Sequence, residues 1–123
     1  MALIEGIDRA RDILGEFRLS EFRIVRELHF YESHRESNLI QNIDMVVESE
    51  DRSPNYQMKF TFSGVSGFSI SDFGGGQTRV IGFDVKDVSD RQWEGVSWEV
   101  IDFENNAIRF LSKTADIVSV NRV

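Results

Sequence analysis

Apolar residues recur along this chain at two spacings, and the change of spacing separates a short helix from a long run of strands. Leu3, Ile7, Ala10, Leu14 and Phe17 stand four, three, four and three apart, which aligns them on one stripe of a helix over about Ala2 to Leu14. Gly15 follows as a stop, where a left-handed cap is needed. From Phe17 to Tyr31 the period falls to two. Phe22, Ile24, Leu28 and Phe30 alternate with Arg23, Glu27 and His29, while Arg26 interrupts the apolar face. Ser33 to Asn38 is entirely polar and reads as a loop; Leu39, Ile43, Met45 and Val47 then restart an apolar face, with Asp44, Glu48 and Glu50 on or near the other. Asp51 to Asn55 holds the single proline and connects two strands, since Pro54 cannot join a central ladder.

Tyr56, Met58, Phe60 and Phe62 alternate with Gln57, Lys59, Thr61 and Ser63, the most regular strand pattern in the chain, so the phenylalanine face belongs to the core. Gly64 and Gly67, with Val65, Phe68 and Ile70 around them, predict a bend or bulge before that strand continues. Gly74-Gly75-Gly76 is a loop without the Lys or Ser/Thr spacing of a phosphate cradle. Ile81, Phe83 and Val85 predict another buried face, with Asp84 and Lys86 outward, running into a turn from Asp87 to Gln92 that Trp93 ends. Val96 to Leu111 reads as a hairpin, because Asn105-Asn106 suits the positive φ of a type I′ turn. That turn sets Phe103 opposite Ile108, Asp102 opposite Arg109, Ile101 opposite Phe110, Val100 opposite Leu111 and Trp98 opposite Lys113. Trp98 then shares a face with Val96 and Val100, away from Ile101 and Phe103, so the N-terminal helix covers that second face or it is an exposed patch. Val118 and Val120 continue the alternation in a last strand.

These elements predict a mainly β protein: an antiparallel sandwich or strongly curved sheet of about six to eight strands with one N-terminal helix. The alternative is an α+β sheet with the helix across one face. At 123 residues the chain fits one domain, 1–15 supplying the helix and 17–123 the sheet.

Composition narrows the chemistry. Cysteine is absent, which excludes disulfides, thiolate metal sites and cysteine nucleophiles. The formal charge is −7, from 21 acidic against 14 basic residues, which disfavours nucleic acid and suits a basic partner. Glu5, Asp8, Arg9, Arg11 and Asp12 interrupt the N-terminal apolar residues, so neither a signal peptide nor a membrane span is expected, and the cytoplasm is the expected compartment. His29 and His34 lie five apart, which puts their side chains on opposite faces of a strand, so no metal site is expected. No G-x-S-x-G elbow occurs, and no cofactor is implied. Asp87, Asp90, Glu94, Glu99, Asp102 and Glu104 cluster in sequence and could in principle serve general acid/base work, although Asp102 has a structural partner in Arg109. Trp93 and Trp98 are the interface-type residues.

The segments F-S-G-V-S-G-F-S-I and D-V-S-D-R-Q-W-E-G-V-S-W-E-V-I-D-F-E-N-N-A-I-R-F resemble small bacterial immunity-type proteins encoded beside polymorphic toxins. The resemblance covers roughly the C-terminal half and rests on Phe62, Gly64, Val65, the Asp90 to Gly95 turn with Trp93, and the Val100 to Phe110 hairpin. It implies a noncatalytic β protein that neutralises a toxin. With the charge, it points to a basic protein partner held by Asp84, Asp87, Asp90, Trp93, Glu94 and Trp98. The alternatives are a small-ligand or carbohydrate-binding domain using an exposed tryptophan, and a structural or interaction protein.

Overall fold

A computed structural model describes residues 4–50, 53–70, 78–79, 84–91, 96–101 and 108–123. In chain order they form helix α1 (Ile7–Leu14), a 3-10 turn (Leu19–Glu21), β1 (Ile24–Arg35), β2 (Asn38–Glu48), β3 (Tyr56–Ser63), β4 (Ser66–Ile70), β5 (Thr78–Arg79), β6 (Asp84–Asp87), a second 3-10 turn (Ser89–Arg91), β7 (Trp98–Ile101), β8 (Ile108–Ser112) and β9 (Thr114–Arg122). The strands make two antiparallel sheets, ordered β5-β1-β2-β3-β9 and β4-β8-β7-β6. This is the mainly β architecture that the alternation predicts, with one α-helix and no closed barrel among the described residues.

The helix is shorter than its apolar stripe. Glu5 is extended and bridges β9, donating its N–H to the Ala115 carbonyl at 3.2 Å and accepting from Ile117 N–H at 2.7 Å, so its backbone groups are committed to the sheet. Gly6 makes the reversal into α1 at φ 84, and a Cβ there would collide with the Ile117 carbonyl oxygen. Ala10 and Leu14 point from α1 into the core. Gly15 ends the helix at φ 72 and ψ −146, a conformation open to glycine but outside the left-handed cap its position predicts.

β1 and β2 form one long hairpin. The polar Ser33 to Asn38 is not a loop: pairing runs to Arg35 opposite Asn38, and only Glu36 and Ser37 turn, at φ 51 and 70. Side-chain polarity does not stop a ladder in which the backbone groups that face the partner strand pair across the hairpin. Arg26, out of place in the alternation, is the extra residue of a β-bulge between Val25 and Glu27.

Met58, Phe60 and Phe62 are completely buried, as their spacing predicts. Phe60 stacks on Phe62 at 5.5 Å, and Phe62 meets Phe110 of the facing sheet edge-on at 5.0 Å, which locks the two layers together. Burying each such side chain contributes ~1.5–3 kcal/mol. The two sheets share one bent ribbon. Ser63 opposes Thr114 on one side of the corner and Ser66 opposes Leu111 on the other, while Lys113 N–H donates to the Ser63 carbonyl at 2.9 Å. The bend predicted at Gly64 thus carries the chain from one sheet to the other.

One expected register and one expected alternation are corrected. Trp98 opposes Ser112, Glu99 opposes Leu111, Val100 opposes Phe110 and Ile101 opposes Arg109, one residue away from the register that an Asn105-Asn106 turn would set. Burial decides this. Ile108, Phe110 and Ser112 face the core with Trp98 and Val100, and residues directly opposite must share a face. Residues 105–106, with Asp102 and Phe103, lie outside the described residues. In β9 the alternation breaks at Val118. Lys59 opposes Ser119 but Phe60 opposes Ile117, so Val118 is a bulge residue, exposed, and its carbonyl accepts from Arg9 Nη1 at 3.4 Å.

Candidate partner-binding surface

Of the sequence-designated residues, Asp84, Asp87, Asp90 and Trp98 lie on or next to β6 and β7 of the four-stranded sheet, though not on a single face. β6 is its edge strand and pairs with β7, Asp84 opposite Ile101, Val85 opposite Val100, Lys86 opposite Glu99 and Asp87 opposite Trp98. Alternation sends Val85 into the core and puts Asp84 and Asp87, three residues apart, on opposite faces. Asp84 is half-buried, and its Oδ1 accepts the Val85 N–H at 2.8 Å.

Asp87 instead shapes the turn that follows. Its Oδ1 accepts the Ser89 N–H at 2.9 Å and the Ser89 hydroxyl at 2.6 Å, which organises the start of the 3-10 turn. Val88, buried beside it, fixes the turn to the sheet, with its N–H donated to the Ser97 carbonyl at 2.8 Å. Asp87 and the exposed Asp90 are therefore presented from a turn that Val88 ties to the sheet. Trp93 and Glu94 lie outside the described residues.

Trp98 must be taken out of the surface. It is only 5% exposed and packs in the core, where the five-stranded sheet rather than the helix alone covers the face that could have been an open patch. On the outer face of the small sheet, Glu99 receives Arg109 Nη2 at 3.2 Å, so Arg109 is held by Glu99 where the sequence suggested Asp102.

Sequence reasoning missed a polar network on the outer face of the five-stranded sheet. Arg26 Nε and Nη2 donate to the two oxygens of Glu48 at 3.0 and 2.8 Å, and Gln57 Nε2 donates to Glu48 Oε1 at 2.9 Å. The Arg26 and Gln57 hydrogen bonds hold the Glu48 carboxyl below its usual range. Nearby, Tyr31 Oη and Thr61 Oγ1 both donate to Asp44 Oδ1, at 3.1 and 2.9 Å; burial, then the bond to Asp44, raises the Tyr31 phenol. The only sequence signal was Arg26 in the wrong phase. Among the described residues no group of His, Asp and Glu converges as metal ligands, and His29 and His34 face opposite sides of β1. A surface cleft of about 740 Å³ between the end of α1 and the first 3-10 turn is lined by Arg11, Gly15, Glu16, Phe17, Arg18 and Glu21.

The two antiparallel sheets define a mainly β protein of two layers, with Asp87 and Asp90 exposed on the turn that follows β6. A family model for "Immunity protein PIM8" matches residues 8–117, from the first turn of α1 into β9, and the chain belongs to that family. Membership places it among immunity proteins, which act by binding and neutralising a toxin and are generally noncatalytic. No curated protein and no solved structure matches the chain.

Proposed function

We propose that this protein neutralises a toxin with a basic surface by covering it, in the cytoplasm and without a reaction of its own, through the acidic end of the four-stranded sheet around Asp84, Asp87, Asp90 and Glu94. The observation that carries the reading is the match to the immunity family over residues 8–117. The net charge of −7 and the anchored turn bearing Asp87 and Asp90 support the choice of surface. A field of one sign speeds the encounter with an oppositely charged partner, and rigid carboxylates lose little freedom on docking. Trp93, three residues after Asp90 in sequence, is the proposed desolvated anchor.

The test is association of the cognate toxin domain with the Asp87→Asn/Asp90→Asn double variant, measured at low and high ionic strength. Asparagine keeps an oxygen acceptor for Ser89, so the turn should survive and the fold remain intact. Slower association with a weaker salt dependence is expected. Unchanged affinity and unchanged salt dependence would remove this surface from the mechanism.

A further inference from the structure

Across the outer face of the five-stranded sheet, the strand registers set residues opposite one another in rows. The middle row is His29, Asp44, Thr61 and Asp116, on β1, β2, β3 and β9, and Glu5 extends it through its bridge to Asp116. On one side runs the row Glu27, Val46, Lys59 and Ser119, and on the other Tyr31, Asn42, Ser63 and Thr114. Solvent reaches this face: Glu5, Glu27, His29 and Lys59 are exposed, and Asp44, Thr61 and Asp116 are half-buried.

Charge is spread unevenly over the rows. Arg26 neutralises Glu48, Glu27 shares its row with Lys59, and the row of Tyr31 carries no charge. The middle row holds three carboxylates and no lysine or arginine. Among the described residues none of the three forms an ion pair: Asp44 takes its hydrogen bonds from the neutral hydroxyls of Tyr31 and Thr61, and Arg9 reaches the Val118 carbonyl instead. Burial, and then Glu5, raise the Asp116 carboxyl, so the free protein carries this charge at a cost in stability. Such a cost is retained where a partner relieves it. An independent feature favours a cation at the same place. The His29 and Tyr31 rings, 5.1 Å apart, stand at the β1 end of the row as an aromatic platform of the kind that guanidinium groups cover.

From the unbalanced row and its aromatic end we infer that the outer face of the five-stranded sheet is a second contact for the toxin, docking a segment that lays basic side chains across the strands over Asp44 and Asp116. The partner is that of the toxin-neutralising reading, on which this contact rests. Asp44 and Asp116 are two strands apart, so the segment carries cations about 10 Å from one another. Much of the face is fixed before docking, by the bonds to Glu48 and Asp44 and by Asn42 Nδ2 donating to Ser33 Oγ at 2.9 Å, so few side chains lose freedom there. Asp87 and Asp90, on their turn, remain the steering contact.

Binding kinetics of the cognate toxin domain on wild type, Asp44→Asn/Asp116→Asn and Asp87→Asn/Asp90→Asn separate the two contacts. Asparagine at position 44 keeps an oxygen acceptor for Tyr31 and Thr61, and Asp116→Asn alone, whose unfolding midpoint at pH 7 should rise, keeps loss of binding apart from loss of fold. Half-buried carboxylates act after encounter, so the sheet-face variant should dissociate about tenfold faster with little change in association, whereas the turn variant should associate more slowly. Unaltered dissociation of the sheet-face variant from a toxin that binds wild type would overturn this contact and leave the one at the turn standing. A toxin domain that fails to bind wild type would overturn the toxin-neutralising reading and this contact with it.

Discussion

Arg26 and Glu48 face each other across the β-bulge of the first hairpin, joined by two hydrogen bonds of 3.0 and 2.8 Å, with the glutamate side chain only 8% exposed. The bulge is what makes the contact possible, because it adds one residue to β1 and turns the arginine onto the outer face. Removing Arg26 would leave a nearly buried carboxylate with Gln57 as its remaining partner.

Arg26→Met should therefore lower stability at neutral pH, and by more than Glu27→Gln on the same strand. The folded state holds the Glu48 pKa down, so its contribution is present above the ordinary carboxylate value and is lost as pH falls through the depressed one. Thermal unfolding of wild type and variant as a function of pH should show two curves that converge in acid. A gap independent of pH would exclude the ion pair as its cause.

Asp116 has the opposite linkage. Burial, and then the negative charge of Glu5 bridged beside it, raise its carboxyl above the ordinary value. Stability from protonation is complete below the unfolded pKa and is lost as pH rises through the folded one. Asp116→Asn should thus raise the unfolding midpoint at pH 7, with the gain shrinking in acid. A loss of stability at pH 7 would mean that the carboxylate has a favourable partner.

The hairpin register can be read from two alanines. Phe110 is fully buried opposite Val100, so Phe110→Ala should cost about 3–5 kcal/mol in a denaturant titration. Ile101 is half-exposed opposite Arg109, and Ile101→Ala should cost clearly less, about 1–2 kcal/mol. Equal losses would return Ile101 to the core face.

Gly6→Ala tests the docking of the N-terminal segment. The positive φ alone costs a side chain about 1–2 kcal/mol, and the collision with the Ile117 carbonyl adds to it. The variant should lose at least that much stability, and amide exchange should quicken at Glu5, whose N–H donates to Ala115, and at Ile117, whose N–H donates to Glu5, the two bonds that hold the segment to β9. Unaltered exchange there would show that the segment shifts without cost.

The sequence by itself determined the class of fold and much of the core. Period-two alternation put Met58, Phe60 and Phe62 inside because a strand offers only two faces and water disfavours the apolar one. It also placed the sheet-changing bend at Gly64 and marked Arg26 as out of phase. Tertiary structure alone decided what depends on two segments meeting. The register of β7 with β8 follows from which residues the facing sheet can bury, not from the turn residues between them. Trp98 joined the core because β1, β2, β3 and β9 form a layer against its face, and local pattern cannot count layers. Asp84 and Asp87, neighbours in a list of acids, parted because a strand sends residues three apart to opposite sides.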